Sequence, residues 1–345
     1  GKAFGAIYHS SPVVHGKPSV FLRDESYAVF AQTESTRPLM LYTATTDGQL
    51  HGFKVAPNDV NETAADRLVD KKENNELWSF LPPYVLPNMM SMFPGNQQIL
   101  LDGQSIVKDV VFQRTPDQAI AGGDATNGAE WRTVLVASGG GAGGFYYALD
   151  VTDPTAPTFL WQLSTDGAGN PLFGSYSTMP AVTTIALEQD LGSGTAVTTE
   201  VAVAILPGGK GTKNNSGAVT CGDRTGTFNY IDDGRSLQLR PRAKVECWHD
   251  GPSRSLTIVR LSDGEILGRF LGVAADESTS ADPVLQPAAN RVVGFTSPIS
   301  GTPVPYPSQT GDVSDRIYVG DADGTLWRID LTSGDPADWA AHLMF

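Results

Sequence analysis

The sequence lacks a long apolar run and a cluster of basic residues. Its longest apolar candidate, residues 201–206, is far shorter than the roughly 20 residues that a membrane helix needs. Acidic residues outnumber basic residues, 38 to 24, which gives a formal net charge of −14. Such a chain has no counterion-release drive toward nucleic acid and is repelled by anionic lipid. We therefore expect no membrane span and no nucleic-acid partner.

The sequence also lacks the patterns typical of a zinc site or a hydrolase site. None of the five histidines, at positions 9, 15, 51, 249 and 342, has the spacing of metal ligands. Ser10 and Ser11 follow His9, but neighbouring residues on a strand point to opposite faces, and the sequence has no Gly-x-Ser-x-Gly elbow. The sequence therefore predicts no catalytic residue.

Two glycine-rich stretches, residues 139–144 and 208–212, lack the features of a phosphate loop. No Lys-Ser/Thr pair follows the first stretch, which leads into a predicted strand and not into a helix. In the second stretch, Gly211 occupies the position where a phosphate loop has its Ser or Thr metal ligand. Both stretches are predicted to form tight turns.

Cysteine is scarce, with Cys221 and Cys247 as the two copies in 345 residues. Both lie in a stretch rich in Gly, Asn, Asp and Arg, where a thiol would be exposed to oxidation in a secreted protein. We expect an intrachain disulfide between them. Two free buried thiols are the alternative.

Turn residues and repeated strands are abundant, with 37 Gly and 23 Pro. Four stretches share one order: a Pro-containing apolar strand, a β-branched strand, a strand entered through Gly, and often a closing strand with Leu-Trp. The predicted strands are residues 9–14, 39–43, 47–53 and 76–80; 105–111, 132–137, 144–150 and 159–163; 179–185, 200–205, 256–264 and 265–270; and 296–299, 316–321 and 324–330.

This repetition predicts an all-β fold, a β-propeller, as one domain over residues 1–345, because radially stacked sheets cover one another's faces. Trp78, Trp161 and Trp327 recur with the repeats, so we expect them to pack between blades. The repeats are longer than ordinary blades of about 40 to 50 residues, which requires insertions. Residues 207–253, with both cysteines, are predicted to be an insert within the third repeat. Residues 61–75 are predicted to be a helix or a solvated loop.

Several stretches carry a resemblance to a known family. They are IYHSSPVV at 7–14, DGQLHGF at 47–53, ELWSFLPPYVLP at 76–87, WRTVLV at 131–136, YALDVTDP at 147–154 and YVGDADGTLWRID at 318–330. In these stretches and their order the chain resembles the propeller of PilY-type proteins, the tip-associated adhesins and biogenesis factors of bacterial type IV pili.

The resemblance implies a modified seven-bladed propeller that follows a variable N-terminal domain and is displayed at the pilus tip with minor pilins. Compared with that pattern, we expect this chain to be the propeller core, without the N-terminal domain and the last blade material. Residues 1–10 have neither a basic n-region nor an apolar h-region, so we expect a mature or trimmed segment.

The resemblance also implies a calcium loop just ahead of the YVGD strand. If Asp315 is the last ligand, the positions eight, six and four residues earlier hold Pro307, Gln309 and Gly311. Asp312 and Asp315 are then the two candidate carboxylate ligands, whereas Ca²⁺ prefers about six to eight oxygens. We expect proline stiffness and hydrogen bonds, and not a metal ion, to hold this loop.

The resemblance thus implies a non-enzymatic extracellular propeller without a cofactor, located at the pilus tip or the bacterial outer surface. Its expected partners are minor pilins of the tip complex and a host or abiotic surface. One alternative is a quinoprotein-like dehydrogenase, which shares the Asp-Gly-x-Leu and Trp repeats but needs a calcium-bridged quinone cage, often with a vicinal Cys pair. Cys221 and Cys247 are far apart in the sequence. The other alternative is an envelope assembly scaffold unrelated to pili.

Overall fold

The computed structural model of the chain describes residues 5–18, 25–56, 75–92, 98–115, 118, 129–211, 227–229, 236–238, 251–272, 290–293, 295 and 297–344. These residues form mostly antiparallel β-structure. Four sheets follow one another along the chain, and we call them blades 1 to 4. No helix in this part of the chain is long and apolar enough to cross a bilayer.

Blades 1 and 2 are four-stranded antiparallel sheets whose strands are hydrogen-bonded in chain order. The strands of blade 1 are β1 (Val13–His15), β2 (Leu39–Ala44), β3 (Leu50–Ala56) and β4 (Glu76–Phe80). The strands of blade 2 are β5 (Ser105–Val111), β7 (Trp131–Ser138), β8 (Tyr146–Asp150) and β9 (Thr158–Leu163). The short strand β6 (Gln113–Arg114) follows β5 in the chain but pairs with blade 3. Helix α1 (Glu25–Thr33) lies between β1 and β2, and helix α2 (Leu86–Met92) follows β4.

Blade 4 repeats this plan, whereas the sheet of blade 3 has six strands, because it also includes β6 and ends in a parallel strand. The strands of the third segment are β10 (Ala181–Asp190), β11 (Ala196–Pro207), β12 (Thr227–Asn229), β13 (Ser236–Gln238), β14 (Ser255–Arg260), β15 (Ile266–Gly272) and β16 (Asn290–Val293). Because β11 pairs directly with β14, the hairpin of β12 and β13 lies in an insertion between two partnered strands. The strands of blade 4 are β17 (Val304–Tyr306), β18 (Arg316–Gly320), β19 (Leu326–Asp330) and β20 (Ala340–Leu343).

The prediction of a strand at residues 296–299 is wrong, since the first strand of blade 4 is β17. Pro298 has no N–H to donate to a ladder. Its carbonyl accepts from Ala322, and the backbone of Ile299 bonds to Ser253 and Gly209 in blade 3. This buried stretch therefore connects two blades and does not pair in a sheet. The helix or loop predicted at 61–75 lies outside the described residues except for Asn75.

Aspartate–glycine turns join the second and third strands of blades 1 and 4. Gly48 and Gly324 have φ values of +97° and +80°, which glycine adopts without steric cost. In each turn the backbone closes on itself, with Thr45 N donating to Gln49 O and Asp321 N donating to Thr325 O. The Asp-Gly pairs in the sequence therefore form hairpin turns because their glycines adopt the left-handed backbone conformation.

The hydrophobic core consists of clusters between successive blades. One cluster joins blades 1 and 2, and includes Tyr42 and Tyr147. A second joins blades 2 and 3, and a third joins blades 3 and 4 around Phe270 and Trp327. The first strands of neighbouring blades, β1, β5, β10 and β17, contact one another in turn. This is the face-to-face packing that a radial arrangement of blades requires.

The repeated tryptophans of blades 1 and 2 bridge to the following blade. Trp78 Nε1 donates to Pro154 O in blade 2, and Trp161 Nε1 donates to Leu261 O in blade 3, both at 2.8 Å. Trp327 is buried between blades 3 and 4, but its indole N–H donates to Asp321 of its own turn at 3.2 Å. All three tryptophans thus pack between blades, as predicted, although the third one uses a different hydrogen bond.

Candidate functional site

One end of the blades, which we call the entry face, is formed by the segments that lead into each first strand and by the turns between the second and third strands. These segments lie together because the start of a first strand is antiparallel to the end of the second strand. Backbone hydrogen bonds connect them across blades, from Ser177 N to Gly140 O at 3.2 Å and from Gly209 N to Ile299 O at 2.9 Å. The entry face is therefore a continuous bonded layer.

A buried carboxylate joins blades 1 and 2 on the entry face. Asp102 is 1% exposed, and its Oδ2 lies 2.6 Å from His9 Nδ1. Its Oδ1 accepts from Gly141 N at 2.5 Å. Ser10 does not join this pair: its hydroxyl accepts from Ala44 N at 2.9 Å. The His9–Asp102 pair thus bridges two blades, while the neighbouring serine bonds within blade 1.

The glycine-rich stretch 139–144 forms a tight turn against blade 3, as predicted. Gly140 has a φ of +65°, and a Cβ there would lie 2.3 Å from Asp102 Oδ1. A Cβ at Gly144 would lie 2.1 Å from Gly174 O. Gly140 N donates to Ser177 Oγ, so this amide is bonded within the protein. These glycines permit close approach of two blades.

Beside this turn, the exposed Lys210 side chain lies against the half-buried ring of Tyr176. The Lys210 ammonium lies 4.4 Å from the ring centroid of Tyr176, within the range of a cation–π contact. The Tyr176 ring also lies edge-on to His9, with ring centroids 6.3 Å apart. Burial, followed by the charge of Asp102, raises the pKa of Tyr176. The phenol therefore stays protonated at neutral pH.

Next to the His9–Asp102 pair, exposed apolar side chains form what we call the apolar rim. Its members are Ile7, Tyr8, Leu86, Met90 and Ile99, which are 47%, 62%, 46%, 83% and 41% exposed. The segments that carry them meet at the Asp–Gly turn of blade 1, because Thr46 N donates to Ala6 O and Leu100 N donates to Thr46 O. The Val85 side chain lies against the same turn at Gly48.

The apolar rim coincides with an uncharged stretch of sequence. Residues 77–101 contain no Asp, Glu, Lys, Arg or His, although the chain as a whole has a net charge of −14. Contiguous exposed apolar side chains are typical of interaction sites, and methionine adapts to irregular partner surfaces. Sequence analysis missed this surface; the absence of charge over 77–101 is the signal that indicates it.

The two predicted metal ligands lie in the loop between β17 and β18, and each carboxylate is bonded within the loop. Asp312 Oδ2 accepts from Gln309 N at 3.0 Å. The Asp315 carboxylate accepts from Arg316 Nε at 2.6 Å and from Nη2 at 2.9 Å. Within the part of the chain that the structure describes, no three His, Cys, Asp or Glu residues form a group that could hold a metal ion.

A second buried carboxylate, Asp109 on β5, holds blade 1 and helix α1 against blade 2. Tyr27 OH donates to its Oδ2 at 2.8 Å, and Thr133 Oγ1 donates to its Oδ1 at 2.6 Å. His15 Nε2 lies 3.2 Å and Arg37 Nη2 lies 3.6 Å from the same Oδ1. Burial would raise the pKa of Asp109, but the hydrogen bonds from His15 and Thr133 and the nearby cations lower it below its ordinary value.

Cys221 and Cys247, the predicted disulfide pair, lie outside the described residues. The disulfide therefore stays a prediction. The described residues on either side of the insertion that contains them, Gly211 and Gly251, adjoin the entry face through β11 and β14.

Comparisons with known proteins find similarity to type IV pilus biogenesis factors. No protein-family model matches the chain. It is 25% identical over 344 residues to the type IV pilus biogenesis factor PilY1 of Pseudomonas aeruginosa strain PAO1, covering 96% of the chain and 21% of that protein. It is 23% identical over 350 residues to the PilY1 homolog of Xylella fastidiosa strain Temecula1, covering 99% of the chain and 20% of that protein.

The crystal structure of the P. aeruginosa PilY1 C-terminal domain has the same fold, with a TM-score of 0.51 and 20% sequence identity. The match covers 97% of this chain and 51% of that chain. The predicted resemblance and the predicted all-β propeller fold are both confirmed. The chain spans about a fifth of the length of the curated relatives it matches.

Proposed function

We propose that this chain is the propeller of a type IV pilus biogenesis factor, a non-enzymatic assembly and adhesion module at the pilus tip on the outer surface of a bacterium. Similarity to PilY1 proteins along nearly the whole chain is the observation that supports the pilus role. In this proposal the blades are a rigid frame, and the entry face binds a minor pilin. The assembled tip then contacts a host or abiotic surface.

The apolar rim is the part of the entry face that we assign to the minor pilin. Burial of one large apolar side chain contributes about 1.5 to 3 kcal/mol, and a few central side chains carry most of the binding energy of an interface. Leu86 and Met90 are in helix α2, which directly follows the buried Val85. These two members of the rim are therefore presented by helical backbone, which limits the entropy lost on binding.

A binding experiment with matched variants tests this assignment. The purified chain is titrated calorimetrically with the soluble domain of each minor pilin from the same bacterium. Leu86→Glu and Met90→Glu place a charge within the apolar rim. Leu191→Glu is the matched control, because Leu191 is 48% exposed, close to the 46% of Leu86, and lies at the turn between β10 and β11, away from the entry face.

We expect one minor pilin to bind, each rim variant to weaken binding at least about tenfold, and Leu191→Glu to leave binding unchanged. An equal loss of binding affinity in all three variants would contradict the assignment of the minor-pilin site to the apolar rim. Binding to none of the minor pilins, together with co-purification of other envelope proteins from the native bacterium, would favour the scaffold alternative unrelated to pili.

A further inference from the structure

The loop between β17 and β18, residues 307–315, lies against the first strand of blade 3. Ser314 N donates to Thr184 O at 2.8 Å, and Ser314 Oγ lies 2.6 Å from Thr183 Oγ1. The same hydroxyl donates to Pro307 O at 2.5 Å, which closes the loop on itself. The C-terminal half of the loop is thus fixed to β10 by uncharged hydrogen bonds.

A cation from a more distant blade reaches the other half of this loop. Lys108 lies on β5, the first strand of blade 2, and its Nζ donates to Ser308 O at 2.9 Å. The same ammonium donates to Val182 O on β10 at 3.3 Å. Burial lowers the pKa of Lys108, and the charge of Asp312 opposes that effect. One ammonium therefore contacts β10 and the loop at once, close to the Asp312 carboxylate.

The oxygen atoms of this loop do not fit a calcium ion, which needs about six to eight oxygen ligands. The Asp315 carboxylate is occupied by both guanidinium nitrogens of Arg316, and one oxygen of Asp312 accepts from Gln309 N. Pro307 and Gly311 offer no side-chain oxygen. A backbone carbonyl such as that of Ser308 could also bind a metal ion, but the Ser308 carbonyl already accepts a hydrogen bond from Lys108 Nζ.

We propose that the Lys108 ammonium is the resident cation of the loop between β17 and β18 and takes the place that a metal ion would have there. An ammonium has three donors and no acceptor, so it can bridge the Val182 and Ser308 carbonyls as a small cation does. Lys108 thereby fastens blade 4 to blades 2 and 3. The position of this loop then depends on a residue about 200 positions earlier in the chain and not on calcium.

Hydrogen exchange of the loop amides tests this proposal. Lys108→Met removes the charge but keeps the length of the side chain, and Lys108→Arg keeps the charge. Lys54→Met is the matched control, because Lys54 is exposed on β3 in blade 1. Exchange is followed at Ser314, Asp315 and Asp312, whose amides are bonded, and at β2 as an internal reference for global unfolding.

We expect Lys108→Met to speed exchange of the three loop amides at least about tenfold relative to β2, while Lys108→Arg retains most protection and Lys54→Met has no effect. We also expect about 1 mM Ca²⁺ or a chelator to leave the melting temperature of the wild-type chain unchanged. Unchanged loop protection in Lys108→Met would overturn the proposal. So would stoichiometric calcium binding by the wild-type chain in calorimetry.

Discussion

Lys108 and Asp109 are neighbours on β5, and their side chains bond to opposite neighbouring blades. The Lys108 ammonium contacts Val182 O of blade 3 and Ser308 O of blade 4, whereas the Asp109 carboxylate accepts from Tyr27 of helix α1 and contacts His15 of blade 1. Adjacent residues of a strand point to opposite faces. One dipeptide therefore joins the first strand of blade 2 to both of its neighbours.

The Asp109 half of this arrangement predicts a large effect on stability. Asp109→Asn keeps the shape of the side chain but leaves the Arg37 guanidinium, 4% exposed, without its nearest counter-charge. We expect a loss of about 3 kcal/mol in the free energy of unfolding, because a buried cation left unpaired is costly. Urea unfolding measures the loss. Asp263→Asn, at an exposed pair with Arg260, is the control and should cost less than about 1 kcal/mol.

The same residue predicts a dependence of stability on pH. Since the folded state lowers the pKa of Asp109 below its unfolded value, the stability that it contributes is present above about pH 4 and is lost as the pH falls through the folded pKa. Asn cannot take up this proton. We therefore expect the stability difference between wild type and Asp109→Asn to shrink below about pH 4. A constant difference in urea midpoints from neutral to acid pH would contradict this.

Local signals in the sequence predicted the strands well, and long-range contacts could not be predicted. The strand at residues 105–111 was placed correctly at both ends, because its branched apolar residues are bounded by Gly103 and by the bend at Phe112. The failure at 296–299 came from a local pattern, Ser-Pro-Ile, that also occurs in a buried connection. The partners of Lys108 and Asp109 lie between about 24 and 200 positions away, and no periodicity encodes such distances.

The candidate site was predicted less well than the fold, for a related reason. The resemblance directed attention to Asp312 and Asp315, but the cation that contacts their loop comes from another blade. The apolar rim combines residues before β1 with residues around α2, so its members become neighbours only after folding. Its one local signal is the uncharged stretch 77–101.

The proposal of a non-enzymatic propeller predicts that the purified chain is colourless and binds no quinone. A dehydrogenase of the quinoprotein type would carry a stoichiometric absorbing cofactor and would oxidise an alcohol or a sugar with a dye as acceptor. Absorption spectroscopy after incubation with pyrroloquinoline quinone and calcium, followed by gel filtration and a dye-reduction assay, measures both properties. Quinone retained at one equivalent, or dye reduction with any alcohol or sugar, would support the enzymatic alternative.

Cys221 and Cys247 are predicted to form an intrachain bridge. Closing a loop of about 27 residues, from 221 to 247, stabilises the folded chain by about 3 to 4 kcal/mol in the chain-entropy model. The loop lies between β11 and β14, which pair directly with each other, so we expect reduction to loosen the insertion and leave the blades folded. Intact mass after alkylation with and without reductant measures the bridge. Two labelled thiols without reductant would show that it is absent.

The close approach of the Gly140 turn to Asp102 on the entry face predicts different outcomes for two glycine substitutions. Gly140 and Gly169 both have positive φ values, +65° and +87°, so alanine at either position costs about 1 to 2 kcal/mol in backbone strain. A Cβ at Gly169 meets nothing within 4 Å, whereas a Cβ at Gly140 would lie 2.3 Å from Asp102 Oδ1 and 2.6 Å from Gly103 N.

Gly140→Ala must therefore displace backbone or the buried Asp102 carboxylate, which costs about 1 to 3 kcal/mol more. We expect Gly140→Ala to destabilise the chain by about 2 to 5 kcal/mol and Gly169→Ala by about 1 to 2 kcal/mol, both measured by urea unfolding. The histidine signals of His9 in NMR spectra should shift in Gly140→Ala, because His9 Nδ1 is bonded to Asp102, and should stay in place in Gly169→Ala. Equal destabilisation by the two substitutions would show that this turn tolerates a side chain and that backbone strain alone requires its glycine.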